Sequence, residues 1–216
     1  MFGIENFIVF LTTGILLNLY PGPDSMYIIA RSISQGRRAG IFALLGISSG
    51  SLFHTLIGSV GLSAIILSSA HAFQILKYVG ASYLLLQAIL MIKESNSQKN
   101  INSQTLHKKS LVKIYRQGAL TNILNPKVAL FFLALLPQFI SPMSSNKPLS
   151  FIILGIVFIV TGTIWGLFLA IFASFFSDKL RNSTKISKWM LRANAGLFGY
   201  LGFKLATAQL DIHNSG

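Results

Sequence analysis

Two charged residues stand where charge is costly. Asp24 and Lys127 each follow a proline-containing interruption of a long apolar run, Pro21-Gly22-Pro23 before the acid and Asn125-Pro126 before the base. An ionised side chain near the centre of a bilayer costs on the order of 3 kcal/mol even on lenient insertion scales, so it must be paired, wetted or used. One acid and one base at corresponding breaks could close on each other as a buried ion pair. They could also hold the two ends of a zwitterion, Asp24 taking an ammonium and Lys127 a carboxylate. The two readings are compatible, because a pair can open for a ligand. Broken helices would assist: half-helix N-termini carry partial positive charge, and unwound carbonyls accept from cations.

The residues around the breaks match. LLNLYPGPDS and LTNILNPKVA align with Asn18 opposite Asn122 and Pro21-Gly22-Pro23 opposite Asn125-Pro126-Lys127. The candidate substrate contacts are therefore Asn18, Pro21, Gly22, Pro23, Asp24, Asn122, Asn125, Pro126 and Lys127. Asp24 and His54 are the candidates for carrying a proton, although a buried histidine satisfied by a neighbour is the plainer reading of His54. Tyr20 and Tyr83 could line a cavity. Ser48, Ser51, Thr55 and Gly58 fall at helical spacing, with Gly46, Gly50 and Gly61 nearby, and Gly155, Gly162 and Gly166 recur later. Small stripes let membrane helices approach closely, so packing is their simplest role.

The elements that must position these groups follow from composition. Of 216 residues, 52% are hydrophobic and 11% charged, whereas soluble domains carry about 25% charged residues. Long apolar runs cover residues 4–33, 39–67, 72–92, 111–140, 149–176 and 189–209, the signature of six membrane-spanning helices. The N-terminal run has no preceding basic residue or small-residue cleavage site and reads as a retained span. Runs 4–33 and 111–140 would each be about 45 Å long as one helix, against a hydrocarbon core of about 30 Å. A broken, tilted helix reconciles the two. Spans three and six share a weak pattern, KYVGASYLLL and RANAGLFGYLG. The expected fold is an all-α membrane protein, a single transporter-like domain over residues 1–216. Residues 1–92 and 111–210 form two inverted three-helix repeats whose first helices are broken, joined by a basic polar loop at 93–110. In such architectures the ligand site lies where the breaks meet.

Charge orients the spans. Net charge is +13, a value that in a soluble chain would suggest nucleic acid. Here fourteen of the basic residues flank three alternate loops: Arg31, Arg37 and Arg38; Lys93, Lys99, Lys108, Lys109, Lys113 and Arg116; and Lys179, Arg181, Lys185, Lys188 and Arg192. The other side offers Lys77, Lys147 and Lys204. The positive-inside rule places the basic loops in the cytoplasm and both termini outside. The expected partners are the lipid bilayer and a small molecule, with no nucleic acid and a homodimer as a candidate assembly.

Several classes are disfavoured. The chain has no cysteine, which removes disulfides, thiolate metal sites and a cysteine nucleophile. There is no Walker-type glycine loop for a nucleotide, and no cofactor is expected. A metal-cation exporter would want two or more intramembrane acids, and Asp24 is the one acid clearly inside an apolar run. An intramembrane enzyme would need a nucleophile with a base or a metal set.

The stretches NLYPGPDSMYIIARSISQGRRAGIFALLGISSG, KYVGASYLLLQA and GALTNILNPKVALFFLALLPQFI resemble the LysE/RhtB family of amino-acid exporters over nearly the whole chain. Their order, spacing and context carry the match, with PGP and NPK in the positions that family uses. The resemblance implies a bacterial inner-membrane exporter of amino acids or close derivatives, driven by protons or membrane potential. An exporter of another small solute or a metal cation in the wider superfamily is the alternative.

Overall fold

The computed structural model describes residues 3–20, 22–68, 108–141 and 143–182, with isolated positions between 75 and 93 and between 192 and 207. It is helical throughout these residues, apart from one isolated antiparallel bridge, Ile4 to Ile140. The isolated positions at 75–93 and 192–207 are helical too, in the stretches expected as spans three and six. Pro21, Tyr83, Lys77, Lys204 and most of the 93–110 loop lie outside the described residues.

The first run is two helices, α1 (Phe7–Leu19) and α2 (Pro23–Gln35). α3 (Arg37–Ser68) follows directly. The fourth run is α4 (Leu111–Ile123) and α5 (Pro126–Leu130), the latter prolonged by a π turn, Phe131–Leu135, and a 3-10 turn, Leu136–Phe139. α4 and the segment after it meet at 48°. α6 (Lys147–Asn182) is the longest helix.

Local chemistry places both breaks. Pro23 and Pro126 occupy the first turns of α2 and α5, where the missing N–H has no intrahelical partner to lose. The residue before a proline is pushed out of the helical region, and both obey: Gly22 has ψ −172° and Asn125 ψ 108°. Asn125 also caps α5, its Oδ1 accepting from the Lys127 N–H at 3.1 Å. Counting from the helix starts gives a correspondence one residue away from the sequence alignment. The first break spans 20–22 and the second only 124–125, so Pro23 corresponds to Pro126 and Asp24 to Lys127.

Two ends of the bundle can be told apart. At one, the Glu5 N–H donates to the Phe139 carbonyl (2.9 Å) and the Ser141 N–H to the Gly3 carbonyl (2.7 Å). At the other, α2 ends beside residue 109, close to Arg37, Arg38 and Lys113 in the chain. α3 and α6 each hold a stretch long and apolar enough to cross a membrane, Arg37–Gly61 and Lys147–Ala173. Their outward residues are large and apolar, with Leu56, Ile57, Val60, Ile164 and Phe168 all exposed. A soluble protein rarely leaves so continuous an apolar face uncovered, and such a face has the character of a lipid-facing surface.

The interior has two clusters. One is aromatic, with Phe131 stacked on Phe158 at 4.3 Å and Phe132 edge-on to Phe158 at 5.5 Å. The other gathers Ile28, Ala39, Ala43, Leu44, Ile114 and Ala170 around α2 and α3. Gly46, Gly50 and Gly58 of the α3 stripe pack closely, while Gly61 faces open space. A Cβ on Gly46 would run into the backbone carbonyl of Tyr115, and one on Gly50 would lie 2.7 Å from Asn122 Oδ1. The space between the clusters holds the site.

Candidate functional site

The broken spans brace each other crosswise. Asp24, in the first turn of α2, accepts at Oδ2 from Asn122 Nδ2 (2.8 Å), which belongs to the last turn of α4. Lys127, in the first turn of α5, donates from Nζ to the Leu17 carbonyl (3.0 Å) in the last turn of α1. Each charge thus reaches from just beyond its own break to the helix end just before the other. The electrostatics differ in sign. Asp24 sits at a positive helix N-terminus; Lys127 sits at one too, which disfavours it, and its compensation is the negative C-terminal end of α1. The Tyr20 ring adds to this, its centroid 5.0 Å from Nζ. No direct ion pair joins Asp24 to Lys127 among the described residues.

A cavity of about 50 Å³ lies between these braces. That is room for on the order of a few water molecules. Asn18, Asp24, Asn122 and Lys127 line it together with Ser25, Ser48 and Ser51, while Ile28, Leu44, Ile47, Phe158 and Trp165 form its apolar side. Most of the polar wall is engaged internally. Ser51 Oγ donates to Asn122 Oδ1 (3.2 Å), Asn18 Nδ2 donates to Thr161 Oγ1 (3.0 Å), and Ser48 and Thr163 hydroxyls meet at 3.1 Å. Of the residues lining the cavity, two carry a buried side-chain atom with no hydrogen-bond partner, Asp24 Oδ1 and Trp165 Nε1. An unmet buried polar group costs about 1–3 kcal/mol, so one acceptor and one donor are left available around one small space.

The residues expected from sequence divide into groups. Asn18, Asp24, Asn122 and Lys127 meet at the cavity. Gly22 lies beside the ammonium, with a Cβ there 3.4 Å from Lys127 Nζ. Pro23, Asn125 and Pro126 shape the helix starts and are not part of the cavity wall. His54 is also off the wall: its Nε2 lies 3.3 Å from the Asn122 carbonyl oxygen and its ring stacks on Phe132 at 5.7 Å. Asn18 and Asn122, aligned in sequence, differ in role, since Asn18 bonds to α6 and Asn122 to Asp24. Sequence reasoning missed Thr161, Thr163 and Trp165, all on α6. The only available signal was polar residues interleaved with Gly162 and Gly166 in an apolar run. It also placed Arg31 among loop charges, whereas the side chain is 1% exposed.

These features define a helical membrane protein with a polar cavity held between two helix breaks. A family model described as LysE type translocator matches residues 15–209, and the chain belongs to the LysE translocator family, which is a family of transporters and not of enzymes. Among its relatives is an uncharacterized membrane protein, YrhP, of Bacillus subtilis (strain 168), 30% identical over 83% of this chain and 89% of that protein. An uncharacterized membrane protein of Vibrio cholerae is 30% identical over 95% of this chain and 98% of its own length. A protein named leucine efflux protein, from Enterobacter sp. (strain 638), is 28% identical over 98% of both chains. No solved structure matches the chain.

Proposed function

We propose that this chain is a secondary transporter that exports amino acids or close derivatives across the bacterial inner membrane, with its substrate bound between the two broken helices. The observation that carries the reading is the crosswise brace around the cavity: one acid and one base, each tied to the opposite break. A zwitterion suits the charges of this arrangement. Its ammonium would go to Asp24 Oδ1, which has no partner. Its carboxylate would take Lys127 Nζ from the Leu17 carbonyl and accept from the unmet donor nearby. The efflux relative supports amino acids as cargo, and the family supports transport.

In this reading residues 1–92 and 111–210 are inverted repeats joined by the 93–110 loop, and they rock about the site. Support comes from the equal helices before the two breaks, 13 residues in each of α1 and α4, and from the matching starts at Pro23 and Pro126. The basic loops face the cytoplasm and both termini face outward. Asp24 couples transport to the proton gradient or membrane potential, with His54 two hydrogen bonds away, one at the Asn122 carbonyl and one from the Asn122 side chain. The test is a dipeptide-fed efflux screen in cells lacking related exporters, following each amino acid released. Expression of this chain should speed release of at least one. No change for any of the twenty would overturn the reading.

A further inference from the structure

Five residues close a polar ring at the basic end of the bundle, outside the cavity. Tyr27, Arg31 and Gln35 are spaced by four on α2, which sets them on one face. That face meets the strap 108–110 and the first turns of α4. Gln35 Nε2 donates to the Lys109 carbonyl (2.9 Å) while its Oε1 accepts from the Lys109 N–H (3.0 Å), so the side-chain amide pairs with one backbone residue through two bonds. The same Oε1 accepts from Arg31 Nη1 (3.1 Å). Lys109 Nζ donates to Gln117 Oε1 (2.8 Å), and the Tyr27 hydroxyl lies 3.4 Å from that oxygen while donating to the Ile114 carbonyl at 3.0 Å. The Arg31 guanidinium, 5.5 Å from the Tyr27 ring centroid, completes the circuit.

The two sides of the ring are mounted differently. α4 is locked to α3 backbone to backbone: a Cβ on Gly118 would stand 2.6 Å from the Ala43 carbonyl oxygen. α2 joins α3 through Gly36, at φ +82° with nothing within 4 Å of where a Cβ would be. That left-handed conformation favours glycine, while the end of α2 also rests on α3 where Gly40 meets Ser32. α2 carries Asp24, Ser25 and Ile28 of the cavity wall, so parting its Tyr27–Gln35 face from α4 would open the cavity along the α2–α4 seam. The strap residues Lys108 and Ser110 are exposed, and water can replace each bond of the ring as it parts.

We infer that the Tyr27–Arg31–Gln35–Lys109–Gln117 ring is a latch that shuts the cavity toward the basic end of the bundle and must open in each transport cycle. The cycle rests on the transporter reading above; the closure does not. The chain has no native cysteine, so introduced thiols are unique. Gln35→Cys with Lys109→Cys, oxidised in membranes, should form a disulfide, lower efflux at least about tenfold, and recover with dithiothreitol. Each single variant should not respond to the oxidant. In a second arm Ser25→Cys reports on the cavity. A membrane-impermeant maleimide supplied from the basic-loop side should label it at least about threefold faster when Gln35→Ala is added. A pair that does not cross-link, a cross-linked protein that exports at the reduced rate, or labelling unchanged by Gln35→Ala would overturn the latch. Absence of amino-acid efflux from the wild type overturns the substrate reading instead, and the labelling arm still decides the latch.

Discussion

Asn122 should be the most costly single asparagine to lose, and the cost should run through Asp24. Asn122→Ala removes the 2.8 Å bond to Asp24 Oδ2 and the 3.2 Å bond from Ser51. The Asn122 bond is the one hydrogen bond of good geometry that the Asp24 carboxylate makes among the described residues. A hydrogen bond to a charged group contributes about 1.5–3 kcal/mol, and the neutral one about 1 kcal/mol. The expected destabilisation is about 2.5–4 kcal/mol. At roughly 2–4 °C per kcal/mol for a chain of this size, the unfolding midpoint should fall by about 5–15 °C. With Asp24→Ala already present, the charge-assisted part is gone and only about 1 kcal/mol remains to lose. Thermal unfolding of the four purified proteins in detergent completes the cycle. The coupling between the two sites should be about 1.5–3 kcal/mol. A coupling below about 0.5 kcal/mol, within the usual scatter of independent sites, would refute the claim that Asn122 holds the carboxylate.

Three further outcomes follow from the same geometry. Gly46→Ala drives a methyl group into the Tyr115 backbone, which cannot turn aside as a side chain can, whereas Gly61→Ala meets nothing within 4 Å; the first should cost about 1–3 kcal/mol and the second be neutral or slightly stabilising, both read by thermal unfolding. Pro126→Ala restores a backbone donor at the second break and should leave membrane insertion intact while sharply lowering efflux. Wild-type efflux from this variant at normal expression would reduce the break to a packing kink. Reporter fusions at Ser97, Ser145 and Ser183 should read cytoplasmic, external and cytoplasmic, and the opposite pattern would overturn the orientation.

The breaks were legible because proline acts locally. It fixes its own dihedral and that of the residue before it, whatever the tertiary surroundings. The charges beside them were legible because apolar runs make a lone acid or base conspicuous. Counting from the helix starts moves the register between the breaks by one residue, because sequence does not reveal that the first gap holds three residues and the second two. The π turn at Phe131–Leu135 left no mark either, since FFLAL suits an α-helix equally well. Arg31 was read as a loop charge by its position near a span end. Its burial depends on Tyr27 and Gln35 sharing its face, and on a strap more than seventy residues further along the chain. Trp165 and Thr161 were hidden within a stripe that does pack, showing that one helix face can both seal against a neighbour and line the cavity.

The central claim is that Asp24 and Lys127 hold the two ends of one substrate, and efflux kinetics of charge variants test it most directly. Folded yield and release of the exported amino acid should be measured together for Asp24→Asn, Lys127→Met and Lys127→Arg. Lys127→Met keeps much of the apolar stem and removes the charge, while Lys127→Arg keeps the charge and changes its shape and reach. The account predicts near-normal yield for all three, an apparent affinity weakened at least about tenfold by Lys127→Met, partial recovery with Lys127→Arg, and impaired export for Asp24→Asn. Wild-type yield with wild-type efflux in all three variants would contradict it.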